Sequence, residues 1–357
     1  MRIVITGASG NIGTALLRRL REGAQAHDVV GVCRRPPTGG FPYEGVEWVS
    51  VDLADVDAVG RLAPVMEGAD AVVHLAWGFQ PSRDVEYLRR LDVGGSAAVL
   101  EAAREAGVEH LVHMSSLGAY SPRTDDVPVD ETWPTDGIET LAYSIHKVAV
   151  ERALDAHERA HPAGPLVTRL RPGVVMQRDA GSALLRYSVP AIVPAGALRY
   201  LPVLPVDRSL SFQCVHADDV ADAVVRVLER RPGGAFNLVA DPPITRDLLA
   251  EAFGAWPLHL DRRVLRTAVG VAWRTRLQSL DPGWIDLAFA VPLMDAGRAH
   301  RDLEWQPQVD ARDALAEAIG GMADAASAPS AVLRARSVPQ QLGRLLRYGP
   351  TGGRRVP

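Results

Sequence analysis

Residues 1–20 read MRIVITGASGNIGTALLRRL, and the succession of residue types in this stretch decides the fold. RIVIT is a short apolar run of the kind that buried strands use, and the run from Ile12 to Leu20 has helical periodicity. Between them stand Gly7, Gly10 and Gly13, three residues apart. Glycine there lets the backbone turn sharply and approach a pyrophosphate, whose charge meets the positive end of the helix dipole. The spacing departs from the common G-x-G-x-x-G, and alone it also fits a plain strand-to-helix turn.

The same alternation continues outward. DVVGVC, ADAVVHLA and EHLVHMSS read as further strands with helical stretches between them. A helix is expected from Leu141 to Arg159 and another strand through VTRLRPGVV. Apolar strands joined by helices imply a parallel sheet covered on both faces, with ligands bound beyond the carboxyl ends of its strands. The alternation fades between Met176 and Phe212, which is rich in Pro, Gly and Leu. It returns in FQCVHADDVADAVVRVLE and AFNLVA. No internal repeat is evident.

Composition narrows the function classes. Charged residues make up 23% and apolar ones 47% of 357, and the formal net charge is −4, without the basic excess of a nucleic-acid binder. The two cysteines, Cys33 and Cys214, are too few for a disulfide framework and lack the paired spacing of a zinc site. A strand beginning by residue 3 leaves no room for a signal peptide, and no run of about 18 apolar residues is present to span a bilayer. A cytoplasmic location is expected, with no membrane or nucleic-acid partner.

Two further constellations fall beyond strand ends. In LAYSIHKVAVERAL, Tyr143 and Lys147 are four residues apart and share a helix face. A free tyrosine, with a pKa of about 10, is a poor base at neutral pH, and a nearby ammonium favours its phenolate. Tyr143 can then exchange a proton with a substrate hydroxyl. In HMSSLGAY, Ser115 and Ser116 end an apolar strand on the same rim as the glycines, where a hydroxyl can donate to a substrate oxygen.

TGASGNIG, Asp52, HLAW at 74–77, MSSLGAY at 114–120, the Tyr143/Lys147 pair, RPG at 171–173 and VHADDVADA at 215–223 follow in one order. That order resembles the extended short-chain dehydrogenase/reductase family, the NAD(P)-dependent epimerase/dehydratase group. The resemblance runs from residue 2 to about 320 and closes with LEWQPQVDARDAL. It implies that Gly7, Gly10 and Gly13, with Asn11 and Ile12, cradle the cofactor pyrophosphate, and that Asp52 and Leu53 lie at the adenine. Leu75, Ala76 and Trp77 would line the cofactor cleft, and Pro172 and Val174 would flank the nicotinamide. Ser116 would be the catalytic serine, Tyr143 the general acid/base, and Lys147 the residue that binds the nicotinamide ribose and lowers the tyrosine pKa.

The expected architecture is α/β, a doubly wound parallel sheet of the Rossmann type with a smaller, discontinuous substrate-binding lobe. Residues 1–175 and 213–240 form the dinucleotide-binding domain, 176–212 and 241–324 the substrate lobe, and 325–357 a basic, solvated tail with six arginines and no acid. The expected activity is hydride transfer at a hydroxyl or ketone carbon of a small molecule. The alternatives are a nucleotide-sugar epimerase or dehydratase that recycles its cofactor, and a non-catalytic dinucleotide-binding sensor. HDVVGVCRRPP has Cys33 where NAD enzymes carry an acid, followed by Arg34 and Arg35, so NADP(H) is the expected cofactor, with NAD(H) a lesser one. Trp77 and Phe79, in HLAWGFQP, with Ser116 and Leu117, are expected at the substrate, and an apolar or aromatic substrate portion follows; packing between lobes is the other use of the two aromatics. A homodimer through helices at about 85–106 and 142–160 is implied.

Two departures from the family pattern bear on what transfers. Asp92 stands where the family has Asn, and after RPGVV the chain reads MQRDAGS instead of a Tyr-Gly-Pro element. HERAH at 157–161 matches H-E-x-x-H, but Pro162 pushes His161 out of helical conformation, so no metal site is expected there.

Overall fold

The computed structural model describes residues 1–23, 26–78, 84–189, 193–275 and 280–337. The strands are β1 (Arg2–Thr6), β2 (Asp28–Cys33), β3 (Glu47–Ser50), β4 (Ala71–His74), β5 (His110–Met114), β6 (Leu166–Pro172), β7 (Val174–Met176), β8 (Val203–Val206), β9 (Ser211–His216), β10 (Gly234–Leu238), β11 (Ala240–Thr245) and β12 (Trp256–His259). The helices are α1 (Asn11–Glu22), α2 (Ala58–Met66), α3 (Val85–Arg89), α4 (Gly95–Glu105), α5 (Ala142–Ala160), α6 (Gly181–Ser188), α7 (Ala217–Arg230), α8 (Arg246–Phe253), α9 (Arg262–Arg274), α10 (Gly283–Ala290), α11 (Gly297–Asp302) and α12 (Ala311–Ala323).

Seven strands form one parallel sheet in the order β10-β6-β5-β4-β1-β2-β3. Strand order reverses at β1, the switch point where doubly wound sheets bind dinucleotides. Side chains alternate between the two faces, as strand geometry requires. Ile3 and Ile5 join the core under α1 and α7, while Val4 joins the core under α2, α4 and α5. Because both faces are covered, the central strands β1 and β4 are nearly continuous apolar runs, which made them legible, whereas β5 and β6 also bury His110, His113, Thr168, Arg169 and Arg171.

The strand expected through VTRLRPGVV is broken in two. A Cβ on Gly173 would lie 2.7 Å from the Gln213 carbonyl oxygen, so the chain pinches against β9 there. β6 stays in the large sheet, and β7 pairs with β9, which pairs in turn with β11, in a separate three-stranded sheet. The segment 213–240 is divided in the same way: β9 belongs to the small sheet, whereas α7 packs on α1 and β10 edges the large one. β8 and β12 form a two-stranded parallel pair.

Helix α12 covers the small sheet, with Ala311, Ala314, Leu315, Ala318 and Ile319 against Met176, Cys214 and Ile244. The LEWQP stretch locks this part to α7. Trp305 is fully buried and its indole N–H donates to the Asp219 carbonyl at 2.8 Å. The Asp219 carboxylate accepts the amides of Gln308 at 2.8 Å and Val309 at 3.2 Å.

The described part of the tail, residues 325–337, docks on the rest of the chain, where the sequence expectation is a solvated or loosely packed segment. Ala328 and Leu333 pack on Ala180, Ala183 and Tyr187 of the α6 region, and Leu333 is 1% exposed. The Ser182 amide donates to the Ala326 carbonyl at 2.8 Å, and the Arg186 guanidinium donates to the carbonyls of Val332 and Arg334. Apolar residues at 328 and 333 carry this docking, and a count of arginines gives no hint of it. No helix among the described residues is long and apolar enough to cross a membrane.

Candidate active site

The glycine turn is built for close approach. Gly7 has φ +74°, and a Cβ there would lie 2.6 Å from the Ala76 amide nitrogen. A Cβ on Gly13 would lie 2.5 Å from the Gly7 carbonyl oxygen. Gly10 precedes α1, and no side chain caps the helix N-terminus. A tight cradle with uncapped amides at the sheet's switch point fits a dinucleotide pyrophosphate. Ile12 packs partly buried on the core behind it. Asn11 turns sideways: its Nδ2 donates to the Val175 carbonyl at 3.2 Å, and its Oδ1 accepts from Gln177 Nε2 at 2.6 Å. Gln177 thus ties the altered MQRDAGS stretch to α1.

At the end of β2, Ser50 Oγ donates to the Arg34 carbonyl at 3.0 Å, while the Arg34 guanidinium reaches the Tyr87 hydroxyl and lies over its ring. Arg35 has no acidic partner among the described residues. Its guanidinium pKa is lowered by burial and then by the charges of Arg334 and Arg34. The docked tail therefore brings a third arginine to this corner. Asp52 Oδ1 accepts the Ala54 amide at 3.0 Å, and Leu53 is buried against the start of α4. Leu75 and Ala76 continue β4 over the glycine turn, where the Leu75 amide donates to the Thr6 carbonyl at 3.0 Å. Pro172 ends β6, and Val174 is exposed across Gly173.

Tyr143, in the first turn of α5, meets Ser116, which follows β5. The two side chains are hydrogen-bonded, and Ser116 Oγ also accepts the Gly118 amide at 3.0 Å. Ser115 is used differently, donating to Glu151 at 2.6 Å, which leaves Ser116 as the serine at the phenol. Gly118 lies flat on the tyrosine, where a Cβ would stand 2.9 Å from the ring. Leu117, expected at the substrate, is buried in the main core, and Phe79 lies outside the described residues.

Lys147 Nζ donates to the Met114 carbonyl at 2.8 Å and stands 3.3 Å from the Trp77 ring centroid. Burial lowers its pKa to about 7, with Asp92 and Glu151 acting in the opposite sense. Burial pushes the Tyr143 phenol up to about 12; Ser116 opposes the rise and Asp92 adds to it. Lys147 Nζ stands 5.8 Å from the centroid of the tyrosine ring whose phenol it is expected from the sequence to lower.

Two features escaped the sequence reading. Trp284 of α10 places its ring 5.2 Å from the Tyr143 ring, and Trp77 meets the same ring edge-on at 6.0 Å, so two tryptophans contact the tyrosine. The position of Trp284 after a Pro-Gly turn was the available signal. Of the chain's 39 lysine and arginine residues, Lys147 alone is lysine. Arginine cannot give up its proton in a protein, whereas a buried lysine readily shifts its pKa, so this usage singles out position 147.

Helix α5 ends at Ala160, leaving His161 outside it as Pro162 requires. Among the described residues no group of three or more His, Cys, Asp or Glu could hold a metal ion.

The model of the NAD dependent epimerase/dehydratase family matches residues 3–238. The chain belongs to this family. Solved structures similar to this chain include a UDP-glucose 4-epimerase of Thermotoga maritima with UDP-glucose, 19% identical, with TM-score 0.67 over 91% of this chain and 99% of that one. A UDP-glucose-4-epimerase of Stenotrophomonas maltophila with bound NAD and formylated UDP-arabinopyranose is 22% identical, with TM-score 0.68 over 90% and 98%. At these identities the likeness establishes the fold. Among curated proteins, an uncharacterised epimerase/dehydratase of Staphylococcus aureus is 25% identical over 76% of this chain and 86% of its own length. An uncharacterised protein of Mycobacterium bovis is 27% identical over 88% of this chain, which spans only 29% of that longer protein. The family is described as NAD dependent, and the glycine cradle at the switch point fits a dinucleotide.

Proposed function

We propose that the protein transfers hydride between NADP(H) and a hydroxyl or ketone carbon, with Tyr143 as general acid/base. The observation that carries this reading is the meeting of Ser116, Tyr143 and the single lysine beyond the carboxyl end of β5, on the rim that holds the glycine cradle. Gly7, Gly10, Gly13 and the α1 amides hold the pyrophosphate, and Lys147 orients the ribose. When bound, the nicotinamide supplies or accepts the hydride. In the reductive direction Ser116 donates a hydrogen bond to the carbonyl oxygen, and Tyr143 Oη gives that oxygen a proton as it becomes a hydroxyl. Trp77 and Trp284 stand beside the half-buried phenol and favour an apolar or aromatic portion of the substrate.

Arg34, Arg35 and Arg334 support a cofactor with a 2′-phosphate, because the charges of Arg334 and Arg34 act against the Arg35 guanidinium, which has no acidic partner among the described residues, and an added anion would relieve them. Calorimetric titration is expected to give at least about tenfold tighter binding of NADP than NAD, on the order of 1.4 kcal/mol. Equal affinities, or tighter NAD, would show that the arginines are bystanders.

A second reading, epimerisation or dehydration of a nucleotide sugar with a recycled cofactor, is favoured by the UDP-sugar epimerases among the fold neighbours. Cofactor turnover separates the two: a reductase consumes NADPH in proportion to product, and an epimerase does not.

A further inference from the structure

Helix α9 carries the sequence RRVLRTAVGVAWR, with four arginines and no acid, and none of its residues is buried. Helical geometry sorts these residues by face. Val264, Ala268 and Val271 follow at i, i+4 and i+7 and form one strip along the helix, and all three are exposed. Arg263, Thr267 and Arg274 form the next strip round, so guanidinium groups border the apolar one. On the side toward α10, Arg262, Arg263 and Arg266 line a cleft of about 300 Å³ whose other wall includes Ile285 and Phe289. Among the described residues only Arg266 of the four arginines has an acidic partner, Asp286, at 2.6 Å.

The neighbouring surface has the same character. The β8/β12 pair ends close to the start of α9: the Leu260 amide donates to the Val206 carbonyl at 3.3 Å, and the Arg262 amide donates to the Asp207 carboxylate at 2.7 Å. Trp256 stands beside Val203 and Leu258 beside Pro205 in parallel register, so the four side chains share one face of the ribbon. That face is exposed, Trp256 to 76%. Tyr200, three residues before β8, is 84% exposed. Large apolar side chains gathered in water mark an interaction surface.

We propose that α9 and the adjoining β8/β12 ribbon seat the protein on a membrane surface that bears anionic phospholipid. The helix lies in the plane of the headgroups, with Val264, Ala268 and Val271 toward the acyl chains and the arginines on lipid phosphates. Arginine suits this occupant, since its planar fork matches phosphate oxygens and its stem packs on apolar surface. Tryptophan and tyrosine suit it as well, because their rings settle at headgroup level. The expectation of no membrane partner rests on the lack of a span and on a net charge of −4 for the whole chain. Neither registers a helix that lies on a bilayer without crossing it, and four arginines with no acid give α9 a charge of +4.

Other occupants of this face lack the complementary charge. A second copy on a two-fold axis would bring these arginines against their own counterparts. Residues 338–357, at the end of the chain, include arginines and no acid, so they offer α9 no partner. The cytoplasmic leaflet of a membrane is negative and attracts basic segments of this kind.

Co-sedimentation of the full chain with vesicles tests the proposal without cofactor or substrate, so its outcome is independent of the hydride-transfer reading. Vesicles of equal parts phosphatidylglycerol and phosphatidylcholine are expected to carry the protein down, with a partition coefficient at least about tenfold above that for phosphatidylcholine alone. Arg263→Gln with Arg274→Gln is expected to remove most of that difference. Val264→Ser with Val271→Ser is expected to weaken binding to the mixed vesicles by about tenfold or more. All four side chains are exposed, so the variants keep the fold, which thermal melting checks. A protein that ignores the anionic vesicles, binds both compositions equally, or loses nothing in either folded variant overturns the proposal. So does a dimer that Val264→Ser with Val271→Ser dissolves while vesicles are ignored, since a second copy then occupies the face.

Discussion

A phenol that burial has pushed up to about 12 is a proton donor at neutral pH, and this sets the direction of easy chemistry at Tyr143. Reduction uses the phenol as it stands, so its rate is expected to hold level across neutral pH. Oxidation needs the phenolate, so its rate is expected to rise close to tenfold per pH unit above neutrality, because the phenolate fraction rises in that proportion below the pKa. Initial rates in both directions from pH 6 to 9 test the sign; an oxidative rate already level at pH 7 would mean that the working phenol titrates far lower. Tyr143→Phe removes the acid and keeps the ring beside Trp77 and Trp284. Turnover should fall by about a hundredfold or more, with the calorimetric affinity for dinucleotide little changed. Ser116, Tyr143 and Lys147 were legible because chemistry dictates their types and spacing. Trp284 was not, because only the folded chain brings α10 over the start of α5.

Among the elements, α6 and α12 cross through glycine. A Cβ on Gly181 would collide with the backbone of Gly321, and one on Gly321 with the Arg178 carbonyl. Gly181→Ala is expected to force the helices apart and cost about 1–3 kcal/mol, the range of overpacked cores, read as a lower midpoint in chemical denaturation. An unchanged midpoint would show that this crossing has slack. The large sheet was legible because its central strands are apolar runs bounded by polar residues. The small sheet was not: β7 is three residues long and β9 reads like any buried strand, and only the Gly173 contact with Gln213 sends them to a different partner. The π turn Arg90–Gly94 between α3 and α4, which holds Asp92, escaped for a related reason, since one extra residue in a helix leaves the periodicity of its flanks intact.

For the molecule as a whole, the proposed NADP reading gives the docked segment after Asp324 a part in both stability and cofactor choice. Ending the chain at Asp324 would uncover Ala180, Ala183 and Tyr187 and remove Arg334. The shortened protein is expected to melt at a lower temperature and to lose affinity for NADP more than for NAD, measured by thermal scan and calorimetry; parallel losses would confine the segment to a structural role. The three-stranded sheet, finally, is joined to the rest of the molecule by very short junctions. β7 is one residue from β6, β9 runs directly into α7, and β11 is one residue from β10. The small sheet is thus continuous in chain with the large one at each of these points, and it cannot be lifted out and exchanged as a cassette.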